Sequence, residues 1–71
     1  FLVSLKSKCP NLTPGELKLC AYLRLNLSSK EIAQIMSITI KSVELSRHRL
    51  RKKLQIQPEV NLYIFMLNFH S

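Results

Sequence analysis

The 71 residues contain a single glycine. One Gly leaves no glycine-rich loop to cradle a phosphate, and it leaves few sites for the tight turns on which β-hairpins depend. Acids are also scarce, 4 Asp+Glu against 11 Lys+Arg, for a formal net charge of +7. Such a surplus on so small a body points to a polyanionic partner, nucleic acid first and an anionic membrane surface second. No apolar run approaches the ~20 residues that span a bilayer, the longest being around 62–67, and no signal peptide is expected. The chain is therefore expected to act away from membranes.

The two cysteines, Cys9 and Cys20, lack the paired spacing of a zinc ribbon, and the histidines, His48 and His70, follow far downstream. These positions imply no metal site, and no cofactor is expected. One bridge would be a thin framework for a secreted miniprotein, so both thiols are expected reduced in a cytoplasmic protein, with Cys20 as a small core residue. His70 reads as a surface histidine beside the terminus.

What is present is an ordinary apolar fraction, 46%. That excludes intrinsic disorder despite the charge. A chain of this length buries about 60% of its unfolded surface, enough for one core and too little to enclose a deep catalytic cavity as well. No nucleophile, base and orienting acid converge in its motifs, so the reading is that it is not an enzyme. The first residue is Phe1 rather than Met. The chain is accordingly expected to be one piece of a longer protein, with 1–11 a linker or the end of a preceding helix and 12–71 one domain.

The punctuation is that of helices. Thr13-Pro14-Gly15-Glu16 is a capping box with Pro at the first helical position, flanked by Leu12 and Leu17 as a hydrophobic staple. It predicts a helix over 14–25 with Leu17, Cys20, Leu23 and Leu27 inward and Asn26 turning the chain. Ser28-Ser29-Lys30-Glu31 repeats the box and predicts a helix over 29–36. Thr39 caps a long basic helix over 40–54, and Gln57-Pro58-Glu59 predicts a last helix over 58–68. The class is all-α, a four-helix arrangement.

The second and third of these helices carry the function. A helix-turn-helix needs a small residue in its first helix, a turn four residues later, and an apolar residue ten after the small one. Ala33, Ser37 and Val43 stand at those positions, with Ile32, Met36, Ile38 and Leu50 to fill the seam. Six basic residues (Lys41, Arg47, Arg49, Arg51, Lys52 and Lys53) fall on 40–54 with one acid, Glu44. At 100° per residue, Ile40, Val43, Leu50 and Leu54 face inward, while Lys41, Leu45, His48 and Lys52 face outward with Glu44 and Arg49 at the edges.

An outward face of that kind suits the major groove of double-stranded DNA, which admits one helix. Lys41 and His48 suit guanine acceptors, Glu44 a cytosine amine, and Leu45 a thymine methyl. Arg49, Arg51, Lys52 and Lys53, together with Lys30, suit phosphates, which supply affinity without sequence information. Competing with these assignments, a basic face is also what any solvated helix presents. Arg47 lies near the apolar stripe and is a candidate partner for Glu16 or Glu31; Glu44 either reads a base or bonds Arg47 or His48.

The motifs Leu12-Thr13-Pro14-x-Glu16-Leu17, Leu27-Ser28-x-Lys30-Glu31-Ile32-Ala33, Ile38-Thr39-x-x-Ser42-Val43-Glu44 and Arg49-Leu50-Arg51-Lys52-Lys53-Leu54 follow one another in order. Over about 12–67 the chain resembles the LuxR/GerE-type (NarL-like) helix-turn-helix domain. The resemblance implies the four-helix DNA-binding output domain of a bacterial transcriptional regulator, at the C-terminus of a longer chain. It further implies that the helix over 40–54 enters the major groove and that the last helix forms a homodimer contact. Such regulators act on RNA polymerase, an implied partner. Four positions depart from the usual pattern. Asn26 replaces Gly, Glu44 and Ser46 replace Lys and His, and Gly15 stands where a basic residue is common.

The last helix is apolar nearly all round, through Val60, Leu62, Tyr63, Ile64, Phe65, Met66, Leu67 and Phe69. Half suffices to cover the helix over 14–25, leaving Tyr63, Met66 and Leu67 as dimerisation candidates. Two alternatives compete: a protein-interaction module docking through this last helix, and a sigma-factor-like promoter-recognition domain, which usually lacks such a helix.

Overall fold

The computed structural model describes residues 1–69, so His70 lies outside the described residues. Five helices follow in order: α1 (Leu2–Lys8), α2 (Pro14–Arg24), α3 (Ser29–Met36), α4 (Ile40–Leu54) and α5 (Leu62–Leu67), with no strand among the described residues. The all-α class and the helix-turn-helix pair are as the sequence predicts. The additional helix is α1, formed by the segment expected as a linker or a helix end; it terminates at Cys9, just before Pro10.

The helix starts are set by local chemistry. The Thr13 hydroxyl accepts from the Glu16 amide at 3.1 Å while the Glu16 carboxylate accepts from the Thr13 amide at 2.8 Å. Ser28 and Glu31 make the same reciprocal pair at 3.1 and 2.9 Å. Thr39 accepts from the Ser42 amide at 3.1 Å. Each cap satisfies helix-start donors that would otherwise have no intrahelical partner, and is worth about 1 kcal/mol.

The helix ends share one device. After α2, α3 and α4 the chain passes through a left-handed residue, Asn26 (φ 61°), Ser37 (φ 56°) and Gln55 (φ 56°). In each case the next amide reaches back across the turn, Leu27 to the Tyr22 carbonyl, Ile38 to Ala33 and Ile56 to Arg51, at 2.9–3.2 Å. This is the Schellman closure, usually made with glycine. The one glycine, Gly15, is used at none of them.

α2 is the hub, packing on α1, α4 and α5, while α3 crosses α4. Leu19, Cys20 and Leu23 of α2 are buried with Leu5 of α1, Ile32 and Ala33 of α3, Val43 and Leu50 of α4, and Leu62 and Met66 of α5. Cys20 is thus the core residue expected of it. The Phe1 and Phe69 rings meet edge-on with centroids 6.1 Å apart, and the Arg24 guanidinium lies 4.7 Å over Phe1. These contacts seat α1 beside the end of α5.

The start of the last helix and the placement of four apolar side chains differ from expectation. The last helix starts at Leu62 rather than 58, because Pro58 and Glu59 lie in a turn closed by the Val60 amide on the Gln57 carbonyl at 3.0 Å. The Asn61 side chain then caps α5 by accepting from Ile64 at 3.1 Å. Pro before a hydrophobic run fits the second position of a turn as well as a helix start, and here the turn prevails. Ile40, expected inward, is 46% exposed in the first turn of α4, and Ile38, expected in the seam, is also exposed after the turn has carried it outward. Leu17 and Leu27 are half-buried against the core rather than within it.

Candidate nucleic-acid interface

The outer face of α4 carries Lys41, Glu44, Leu45, His48, Arg49 and Lys52, all exposed. Leu45, an apolar side chain in the middle of a charged face, is 49% exposed. Val43 and Leu50 on the opposite side are buried, fixing the rotation of the helix. The Val43 and Ala33 pair of the helix-turn-helix is buried where α3 crosses α4. The spacing rule therefore places the charged face away from the core.

The six cations of α4 fall into two sets, and sequence reasoning does not separate them. Lys53 donates to the Glu16 carboxylate at 2.8 Å and to the Asn11 carbonyl at 3.2 Å. Arg51 donates to the carbonyls of Gln57 and Val60 at 3.0 and 2.7 Å, holding the turn before α5. Arg47, half-buried, donates to the Ser29 hydroxyl at 3.4 Å rather than to Glu16 or Glu31. These three brace the fold. Lys41, Arg49 and Lys52, with Lys30 at the start of α3, are exposed and have no side-chain partner among the described residues.

Glu44 likewise has neither ion pair nor side-chain hydrogen bond among the described residues. The expected alternatives, bonding to Arg47 or His48, are not the arrangement seen. Its carboxylate stands open on a face that is otherwise basic.

The titratable groups that deviate are structural. Partial burial pushes the Glu16 carboxyl up, but the hydrogen bond from Lys53, the Thr13 amide and hydroxyl, and the Lys53 charge outweigh it and hold it below its ordinary value of 4.5. Glu31 is held low by the backbone and hydroxyl of Ser28. Burial, with smaller contributions from Glu16 and Cys9, pushes the Cys20 thiol up to about 12, so it is not a reactive thiolate. Both cysteines are free, and among the described residues no group of three or more His, Cys, Asp or Glu gathers to hold a metal. No helix among those residues is long and apolar enough to cross a membrane.

On α5 the dimerisation candidates separate. Met66 is 0% exposed and belongs to the core, which corrects its assignment; Tyr63 is half-buried, and Leu67 is 42% exposed. The apolar residues that face outward are Ile64 (47%) and Leu67 on one edge of α5, with Val60 (36%) in the turn before it. Ile64 is the residue the sequence reading missed, because an all-apolar helix hides which edge the hub covers.

The model of the family described as bacterial regulatory proteins, luxR family, matches residues 10–66. The chain belongs to the LuxR family. This LuxR-family domain is a helix-turn-helix DNA-binding domain of regulatory proteins, and the family is not one of enzymes. The match spans α2 to α4 and nearly all of α5 and leaves α1 outside. No individual curated protein and no individual solved structure matches the chain.

Proposed function

We propose that this LuxR-family domain binds double-stranded DNA sequence-specifically, with α4 in the major groove, as the output domain of a longer cytoplasmic transcriptional regulator. The observation that carries the reading is the division of the α4 cations. Three are used inside the fold, while Lys41, Arg49 and Lys52 project unpartnered on the face turned away from the core. Lys41 and His48 address base edges or phosphates, Glu44 accepts from a cytosine amine, and Leu45 meets a thymine methyl. Arg49, Lys52 and Lys30 grip phosphates and set the register.

Homodimerisation through Val60, Ile64 and Leu67, with Tyr63 at the margin, would match a two-fold DNA site. On DNA the dimer would present its remaining surface to RNA polymerase. A pure protein-docking role for α5 leaves the free cations of α4 without a purpose. Selection of bound duplexes from a random pool tests the proposal: an enriched, two-fold related motif is expected, and a pool that stays random argues against sequence-specific reading.

A further inference from the structure

A groove of about 540 Å³ opens between the start of α2, the turn before α4 and the middle of α4. Its floor is apolar, made by Leu19 and Val43 with Met36 and Ile38 beside them, and its rim carries Arg49, Lys52 and Lys53. Small-molecule sites generally occupy roughly 300–1,000 Å³ and combine an apolar lining with a few placed polar groups. This groove has both properties.

Two small residues keep it open. Gly15 and Ser46 both line it, and neither carries a side chain long enough to fill it. A Cβ built on Gly15 would have the Thr13 hydroxyl, 3.9 Å away, as its nearest neighbour, so the space is not needed by the backbone. The one carboxylate on the wall, Glu16, is paired with Lys53. Arg49 and Lys52 have no side-chain partner among the described residues.

An apolar trough ending at two free cations is complementary to a molecule with a non-polar body and one acidic head. A neutral apolar molecule would leave the cations without a partner, and a bare inorganic anion would leave the floor against water. We propose that the groove binds a small amphipathic carboxylate, its apolar body on Met36 and Ile38 and its head on Arg49 and Lys52. Because those cations also belong to the proposed DNA face, the bound acid competes with DNA; that regulatory consequence rests on the DNA reading, whereas the binding itself does not.

The test is titration of the chain with decanoate, below its aggregation concentration, followed by backbone amide NMR, with decanol and inorganic phosphate as parallel probes. Saturable shifts centred on Gly15, Ile38 and Ser46 are expected. Decanoate should bind about tenfold or more tightly than decanol, since a charge-assisted bond to the head is worth roughly 1.5–3 kcal/mol. Gly15→Leu, which fills the groove without backbone strain, should abolish saturation while leaving helicity intact, and Arg49→Gln combined with Lys52→Gln should reduce decanoate to the affinity of decanol. Equal binding of decanol and decanoate would overturn the proposal, as would saturation of the same residues by phosphate alone, shifts centred on Ile64 and Leu67, or a Gly15→Leu chain that binds normally. A chain that binds decanoate in the groove but no duplex DNA would uphold the site and remove only the DNA reading.

Discussion

The Lys53 ammonium lies 2.8 Å from the Glu16 carboxylate, joining the last turns of α4 to the first turn of α2 across 37 positions of sequence. Glu16 also closes its own helix cap, so one carboxylate holds a helix start and a tertiary contact together. Lys53→Met is expected to lower stability by about 1 kcal/mol, since the pair is only partly removed from water. Arg49→Gln, on the free side of the same helix, should leave stability within about 0.5 kcal/mol. Denaturant unfolding of the two variants checks the contrast.

The pH dependence of the same group has a defined sign. The folded carboxyl of Glu16 titrates below its ordinary value of 4.5, so its contribution is fully present above that value and is lost as pH falls through the folded value. Glu16→Gln should therefore be less stable than the parent at neutral pH, and the gap should close below pH 4.5. A gap independent of pH would remove the charge from the explanation and leave only the cap.

Ser37 is held at φ 56° and ψ 43°, a left-handed geometry that costs a non-glycine residue free energy. Ser37→Gly is expected to stabilise the domain by up to about 1 kcal/mol, offset in part by the greater freedom of glycine in the unfolded chain. Thermal unfolding provides the measurement.

Much of this geometry was legible beforehand. Thr13, Ser28 and Thr39 announced three helix starts because capping is local, requiring only residues three apart. Ala33 and Val43 likewise placed the helix-turn-helix, since ten residues across a tight turn leave little freedom. Pro58 misled because the same residue opens turns and helices, and the deciding contact is the Arg51 guanidinium on the Gln57 and Val60 carbonyls. For the candidate site, the wheel exposed Lys41, Leu45, His48 and Lys52 correctly. It did not sort Arg51 and Lys53 from Arg49 and Lys52, because their partners lie in other parts of the chain.

On α5, burial separates two neighbours with opposite expectations. Met66→Ala should cost about 2–5 kcal/mol by opening a core cavity. Ile64→Asp should leave stability nearly unchanged and shift any dimer toward monomer. Sedimentation at several concentrations distinguishes them; an Ile64→Asp chain with unaltered association would move the interface away from Val60, Ile64 and Leu67.

The most direct test of the DNA-facing role of α4 is duplex affinity, by fluorescence anisotropy, across a salt series for the parent and for Arg49→Gln with Lys52→Gln. With four free cations, Lys30, Lys41, Arg49 and Lys52, the parent monomer should show a log–log slope of about −3 to −4, reduced in magnitude by roughly 2 in the double variant. Binding that ignores salt, or a slope the double variant leaves unchanged, would contradict recognition through this face.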